Sequence, residues 1–573
     1  MSKHVVIIGA VALGPKAACR FKRLDPSAAV TMIDRDKIVS YGGCGIPYYI
    51  SGDVSDINEL RSTSFKFVRD EAFFRDLKGI TLLTRTEALA IDRTGKRVHV
   101  KNLDTGETAF IPYDKLVLAT GATPRSLGIP GENLPGVHTV ANIQNAKDIH
   151  AQVSSGKAGS AVVVGSGFIG LEAAEALLDL WGLDVTVVEI MDHVLPRNIS
   201  PVIARMAGHH LTQKGVRLLF GEKVLAIEGD GRVERVVTDK RTLDADLVIL
   251  AAGVVPNSTL AREAGLEVSA RGAVVVDDAM RTSDPDIFAG GDCAEIRFLP
   301  TGGRINLPLG SMANRQGRVI GTNLAAADGA AATFPGAVGS FVVKIFERAV
   351  AGAGLTLEQA RQAGFSAISA LVIQFDRAHF FPGSTLMTLE LTVDTKTGRV
   401  LGIQGIASSG DALTGRVGAV AALMQRGCVV QDLSVLEYPY SPPYASAMDI
   451  INTVGTVAEN MLSGMNQGIS AEEFERLFAE KGEDRFFLDC READNAEPYL
   501  ERFPGAWHNI PQGQLRKRLD EIPRDRSVVI ICNTGMRSYE AQITLKEAGF
   551  TDVVNVHGGM AALRQSGLDP LKK

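Results

Sequence analysis

The chain has little that would tie it to nucleic acid, a membrane or an oxidising compartment. Its net charge is only -6 over 573 residues, so no strong positive field exists to draw in a polyanion. It has no charged leader followed by a long apolar run. "HVVIIGAVALG" near the start is too short and too glycine-punctuated for a signal peptide or a membrane span, and a cytoplasmic location is expected. Cysteine is scarce, at six residues (Cys19, Cys44, Cys293, Cys428, Cys490 and Cys532) with no C-x-x-C pair among them. That excludes the usual zinc-ribbon spacing, and no metal site is expected. In a reducing compartment the six read as free thiols, any special one marked by its context. What remains is ordinary globular material, 45% hydrophobic and 22% charged. At about one domain per 150 residues the length suggests roughly four domains.

Glycine punctuates two apolar strands that lead into helical patterns. "HVVIIG" runs into "GAVALG", which keeps Gly9 and Gly14 of a G-x-G-x-x-G turn but has Val11 in the middle. The next apolar run, "AVTMID", ends at Asp34, where an acid would meet a ribose hydroxyl. The second turn is complete: "AVVVGSGFIGLEAAEAL" places Gly165, Gly167 and Gly170 in register, and "DVTVVE" ends at Glu189. Three such glycines allow a tight turn, close approach of a pyrophosphate and tight helix–strand packing, and the helix N-terminus favours the anion. Glu189 would accept from a 2′-hydroxyl and repel a 2′-phosphate, so NADH is expected over NADPH.

Further strands close on A-x-G: "LVLATGATPR" supplies Ala119 and Gly121, and "LVILAAGVVPN" supplies Gly253. "TSDPDIFAGGDCAE" then matches T-x-x-x-x-[IV]-[FY]-A-x-G-D through Thr282, Ile287, Phe288, Ala289, Gly291 and Asp292. With two dinucleotide turns, this resembles the flavin disulfide reductases. The resemblance implies FAD on Gly9, Val11, Gly14, Asp34, Ala119, Gly121, Gly291 and Asp292. It implies NADH on an inserted domain bearing Gly165, Gly167, Gly170, Glu189 and Gly253.

In that family the redox centre lies just after the second strand, where this chain has "SYGGCGIPYYISG". The common version is C-x-x-x-x-C, but no cysteine precedes Cys44 at that spacing, so its thiol needs an outside partner: a small thiol, a persulfide or a peroxide. The stretch resembles the S-F-x-N-C-[GA]-x-P-Y pattern of coenzyme A disulfide reductases through Ser40, Cys44, Pro47 and Tyr48, with Gly43 replacing the asparagine. Those enzymes also carry G-x-V-A-x-G, which makes Val11 a shared trait. The resemblance implies coenzyme A contacts at Lys16, Arg20, Arg23, Ser40 and Tyr444. It also implies a homodimer, in which Tyr440 of "YSPPYASAMDIIN" reaches the partner's active cysteine. Two departures stand out. "AHFFPGS" places Phe380 and Phe381 where the family has Y-Y-P-G, and "LTGRVGA" stands in for a basic D-K-R-I-D segment.

The C-terminal stretch resembles a rhodanese domain: "LDCRE" for L-D-V-R-x, "PGAWHNIP" for P-G-A-x-N-I-P, and "CNTGMRS" for C-x-x-G-x-R-S. Cys532 would carry sulfur, on a six-residue loop running to Arg537 whose amides and following helix favour thiolate over thiol. Cys490 takes an apolar core position and reads as inert, and His508 and His557 as structural.

The fold expected is therefore α/β: two Rossmann-like dinucleotide-binding domains, an α+β dimerisation domain and a C-terminal α/β rhodanese domain. Expected boundaries are 1–118 with 247–328 for FAD, 119–246 for NAD(P)H, 329–456 for dimerisation, 457–467 as a linker and 468–573 for the rhodanese. The expected activity is NADH-dependent reduction of persulfides or polysulfides, with coenzyme A as thiol shuttle. Catalysis would fall to Cys44, Tyr440, Cys532 and Arg537. An NADH oxidase or peroxidase working through a cysteine sulfenic acid stays open, as does a sulfur-delivery or redox-sensing protein with incidental turnover. No nucleic acid or membrane partner is expected.

Overall fold

The computed structural model describes residues 3–327, 330–480, 482 and 484–572. The chain forms two units: Met1–Ile190 with Gly221–Ala337, and Met191–Phe220 with Val338–Lys573.

In the first unit the apolar runs become buried parallel strands. These are β1 (His4–Ile8), β2 (Ala29–Ile33), β3 (Thr81–Leu83), β4 (Lys115–Leu118) and β11 (Ile287–Ala289), in the order β11-β4-β1-β2-β3. Val5 pairs with both Val30 and Lys115, so β1 is central and its valines and isoleucines are shut off from water on both faces. Helix α1 (Leu13–Leu24) follows β1, and the short α2 (Ile46–Ile50) follows the Cys44 turn. A second parallel sheet contains, in order, β8 (Asp184–Glu189), β7 (Ser160–Val164), β9 (Leu247–Leu250) and β6 (Val137–His138), with helices α3 (Ile143–Ser154) and α4 (Phe168–Asp179).

The chain crosses between the sheets twice, through β5 (Ala122–Pro124) and β10 (Val254–Pro256), which pair antiparallel. The Thr120 hydroxyl donates to the Asn257 carbonyl at 2.6 Å, and the Asn257 side-chain amide donates to the Thr120 carbonyl at 2.9 Å. One expected boundary is therefore corrected. Leu247–Leu250 pairs with Ala161–Val164 in the second sheet, so the return to the first sheet comes after β10 and not at 247. An all-apolar strand carries no mark of which parallel sheet it will join.

In the second unit β12 (Phe341–Ile345), β13 (Arg348–Gly354), β14 (Ala367–Phe375), β15 (Leu386–Asp394) and β16 (Val400–Ala407) form an antiparallel sheet ordered β12-β13-β16-β15-β14. The segment at 191–220 docks here through helix α5 (Pro201–Gln213). The Ser200 N–H donates to Gln404 Oε1 at 2.6 Å, and the Ser200 and Ser369 hydroxyls donate to Glu390. Burial pushes the Glu390 carboxyl up. The expected linker at 457–467 is corrected as well: an amphipathic helix, Ile450–Leu462, covers its first half and packs on β14.

The C-terminal part is a parallel sheet of β17 (Gly468–Ile469), β18 (Arg485–Asp489), β19 (Trp507–Asn509), β20 (Ser527–Ile531) and β21 (Val553–Val556), ordered β17-β21-β20-β18-β19. Phe474, Phe478, Phe487 and Trp507 make a cluster of stacked and edge-to-face rings. Asp489 and Arg491 form a buried ion pair beside that cluster. Among the described residues no helix is long and apolar enough to cross a membrane.

Candidate active sites

Both glycine turns are built by close backbone approach. Gly9 has φ +107°, and a Cβ there would lie 2.0 Å from the Ala119 carbonyl oxygen; one at Gly14 would lie 1.9 Å from the Gly9 oxygen. The second turn repeats this. A Cβ at Gly165 (φ +105°) would meet the Ala251 oxygen at 2.5 Å, and one at Gly170 the Gly165 oxygen at 2.0 Å, while Gly167 faces open space. Neither α1 nor α4 has a side chain capping its N-terminus. The positive end of each helix dipole therefore lies at its glycine turn without a capping side chain, which fits a pyrophosphate at each turn.

The acids are anchored in the same way in both turns. Asp34 accepts the Ala10 N–H at 2.7 Å and the Asp36 N–H at 2.9 Å; Glu189 accepts the Ser166 N–H and hydroxyl, both at 2.8 Å. Burial pushes the Asp34 carboxyl up. Val11 is half-buried at the middle position. Gly121 (φ +69°) and Gly253 (φ +93°) open onto space at the two crossings. Asp292 sits on the tight turn Gly291–Cys293, held where the Gly291 N–H donates to Gln316 Oε1 at 2.6 Å; burial pushes its carboxyl up to about 6.

Cys44 lies on the turn Gly43–Gly45 that feeds α2. The glycines serve space: a Cβ at Gly45 would lie 2.4 Å from Leu60 Cδ2, and the Gly42 N–H donates to the Leu60 carbonyl. Cys44 is a free, exposed thiol. Its sulfur faces the first residue of helix α6 (Gly310–Asn323), where a Cβ on Gly310 would be only 3.5 Å away. Loss of solvent around the sulfur pushes the thiol up, the Glu172 carboxylate adds to this, and the Gly310 backbone hydrogen bond opposes it.

Glu172 is a residue that the motif reading passes over, although it stands in the quoted "GFIGLE". It projects from α4, and burial together with Glu175 pushes its carboxyl up to about 7. The same two glutamates, after burial, raise Tyr48. Helix α2 is tied to the second dinucleotide domain by a stack of Tyr49 on His150 (4.9 Å), by His150 against Trp181 (5.4 Å), and by the Trp181 Nε1–H donating to the Ile50 carbonyl at 2.7 Å.

Of the expected coenzyme A contacts in this unit, Lys16 and Arg23 are exposed and Arg20 half-buried. Arg20 Nε donates to Thr322 Oγ1 at 3.1 Å. Gly317 and Gly321 leave room for Lys16 and Arg20 against α6. Ser40 is buried, with φ +52°, and its N–H donates to the Ala10 carbonyl. In the second unit Phe380, Tyr440 and Tyr444 are exposed. Arg416, within the "LTGRVGA" departure, is buried in an ion pair with Asp449 at 2.7 Å and donates to the Tyr444 carbonyl at 3.2 Å. It supports this loop from inside.

Cys532 follows β20 directly and is buried. The expected six-residue loop is shorter: helix α7 (Met536–Glu547) begins after Gly535, so Arg537 lies in its first turn, 3.7 Å from Glu492. Gly535, at φ +93°, turns its N–H onto Cys532 Sγ at 3.1 Å, and Ser538 Oγ lies 3.2 Å from the same sulfur. The thiol is lowered to about 5, first by a hydrogen bond from Cys490 and then by Ser538 and the loop amides, against the effect of burial. Cys490 is correspondingly pushed up. The residue read as inert is thus in contact with the reactive sulfur. His508 and His557 are held neutral by burial.

Comparison with known proteins agrees with this layout. The family model described as pyridine nucleotide-disulphide oxidoreductase matches residues 3–317, its dimerisation domain matches 340–450, and a rhodanese-like domain matches 470–566. The NAD(P)H coenzyme A polysulfide/persulfide reductase of Pyrococcus horikoshii is 34% identical over 449 residues, which is 78% of this chain and 97% of that protein. Among solved structures, an NAD-dependent persulfide reductase from A. fulgidus superposes with a TM-score of 0.91 at 39% identity, covering 98% of this chain and 99% of the other. The reduced CoADR-RHD of Bacillus anthracis gives 0.89 at 31% identity, covering 99% and 98%. The chain belongs to the pyridine nucleotide-disulphide oxidoreductase family and carries a rhodanese-like domain at its C-terminal end.

Proposed function

We propose that the protein is an FAD-dependent NADH:persulfide or polysulfide reductase, acting on coenzyme A persulfide or disulfide through the single redox cysteine Cys44, with Cys532 as a sulfur carrier. The observation that carries this reading is the placement of Cys44. It is a lone exposed thiol, set on a glycine turn against the Gly310 amide at the head of α6. The persulfide and coenzyme A disulfide chemistry named for its relatives supports the substrate class.

The first turn, with Asp34, Ala119, Gly121 and Asp292, would hold FAD, and the second, with Glu189 and Gly253, NADH. FAD, when bound there, would supply two-electron redox chemistry fed by NADH, and Cys44 would be the residue that receives it as a mixed disulfide. The Cys44 thiolate attacks the inner sulfur of a persulfide, hydrosulfide leaves, and the mixed disulfide remains. The Gly310 N–H steadies the thiolate. Glu172, whose carboxyl is raised to about 7 and whose charge acts on Cys44, would offer a proton to the departing thiolate. Lys16, Arg20 and Arg23 would take coenzyme A phosphates, with Ser40 shaping the approach. Tyr440 and Tyr444 would act across a homodimer, and Arg537 beside Cys532. The test is steady-state NADH oxidation by the wild type and Cys44→Ser with coenzyme A persulfide, coenzyme A disulfide, polysulfide, peroxide and oxygen. Cys44→Ser should keep bound FAD and lose sulfur reduction. Full persulfide activity in that variant, or a wild type that turns over only peroxide or oxygen, refutes the reading.

A further inference from the structure

Cys490 and Cys532 stand opposite each other on neighbouring parallel strands. Asp489 is the register partner of Ile531, and the Cys490 N–H continues the ladder to the Ile531 carbonyl at 3.0 Å, so the two cysteines are the next pair. Phe486, Leu488 and Cys490 alternate along β18, and Val528, Ile530 and Cys532 along β20; all six lie in one apolar cluster, so both sulfurs point to the same face. Adjacent strands are about 4.7–4.9 Å apart, inside the Cα separation of about 4.4–6.8 Å that a disulfide accepts. Both thiols are shut off from bulk water. Cys490 Sγ lies 3.3 Å from the Ile531 carbonyl oxygen, and Cys532, Asp489 and Arg537 act on it electrostatically. The thiol–thiolate hydrogen bond between the two cysteines, which lowers one and raises the other, accords with this placement.

We propose that Cys490 is a resolving thiol: it reduces a persulfide on Cys532 to hydrosulfide and leaves a Cys490–Cys532 disulfide. The proposal rests on the reading of Cys532 as sulfur carrier. The step balances without an outside oxidant. The S–S bond of the Cys532 persulfide anion breaks, a new S–S bond forms between the two Sγ atoms, and the Cys490 proton leaves with the outer sulfur as HS⁻. The outer sulfur gains two electrons and the two cysteine sulfurs lose them. Two equivalents of a small thiol, such as coenzyme A, then reopen the protein disulfide and become the disulfide of that thiol. This product is of the class that the Cys44 site is proposed to reduce with NADH. The two sites would thus be joined by a diffusing thiol.

The experiment uses full-length protein in a Cys44→Ser background, anaerobically and without NADH. It is loaded with one equivalent of thiosulfate or, separately, of coenzyme A persulfide. Released sulfide is counted and alkylated peptides are weighed. With Cys490 present, about one sulfide per chain should appear, together with a linked Cys490–Cys532 peptide pair short of two hydrogens. With Cys490→Val or Cys490→Ser, each checked for folding by its near-ultraviolet circular dichroism, sulfide release should fall at least tenfold and Cys532 should keep one added sulfur. A Cys532 persulfide that persists beside an intact Cys490 thiol overturns the proposal and leaves the carrier reading standing. A Cys532 that takes up no sulfur from either donor, in any variant, overturns both.

Discussion

Asp489→Asn should unfold the C-terminal parallel sheet far more readily than its size suggests. Asp489 and Arg491 are fully buried, with side-chain exposures of 0% and 1%. The carboxylate accepts the Arg491 backbone N–H at 2.9 Å, forks with the guanidinium at 2.9, 3.0 and 2.6 Å, and takes the Trp507 indole N–H at 3.1 Å. Asparagine preserves the shape but turns one acceptor into a donor that faces other donors, and it strands a guanidinium that cannot lose its proton. Breaking one partner of a buried pair costs about 3–5 kcal/mol, because the surviving charge stays buried. The ring of Tyr499, 4.9 Å from that guanidinium, offsets only about 1–2 kcal/mol of such a charge. With about 1–4 kcal/mol remaining and a urea slope of about 2 kcal/mol/M, the midpoint should fall by roughly 0.5–2 M. The chain has only two tryptophans. In a Trp181→Phe background, therefore, fluorescence reports Trp507 alone, at the seat of the perturbation. A midpoint within about 0.3 M of the parent would refute the argument that this pair is held only by mutual neutralisation.

Three more outcomes follow from the geometry. Glu172→Gln removes a charge that disfavours the Cys44 thiolate, so the pH midpoint for alkylation of Cys44 should fall in the variant, and any inflection near pH 7 should vanish; an unchanged profile would show that Glu172 does not act on this sulfur. Gly9→Ala forces a Cβ to 2.0 Å from a carbonyl oxygen at φ +107°, so purified protein should carry at least tenfold less flavin by absorbance while the second turn still binds NADH; full flavin content would refute the close-approach argument. Phe380→Tyr restores a donor that the coenzyme A disulfide reductases have, and general acid help is worth about 10²–10⁴-fold where it operates. Wild type should favour persulfide over coenzyme A disulfide in kcat/KM, and the variant should narrow that ratio; a wild-type preference for the disulfide, or an unchanged ratio, would count against the missing hydroxyl.

The dinucleotide turns were legible because their physics is local. A Cβ at Gly14 or Gly170 would strike the carbonyl of the glycine five residues earlier, Gly9 or Gly165, which leaves a fixed spacing in the sequence. Cys44 and Cys532 were legible for the same reason, each on a short turn before a helix. What escaped was set by partners distant in sequence. Gly310 meets Cys44 from a helix more than 260 residues further along the chain, and Glu172 acts on its charge from α4. Strand β9 joined the second sheet because parallel pairing, not composition, chose its neighbours. Cys490 looked like a core residue and is one; only strand register sets it beside Cys532.

The segment at 191–220 has a consequence in time as well as in space. It leaves the ribosome long before the sheet it docks on. Ser200 is separated from Glu390 by 190 residues and from Gln404 by 204. At about 5–20 residues per second that is a wait of roughly 10–40 s. Throughout it, the apolar face of the helix Pro201–Gln213, with Ile203, Met206 and Leu211, lacks the cover of that sheet. The nascent chain thus carries an exposed adhesive patch while roughly a third of its length is made, and slow translation of residues 220–400 should raise its demand for chaperones more than slow translation of the C-terminal sheet.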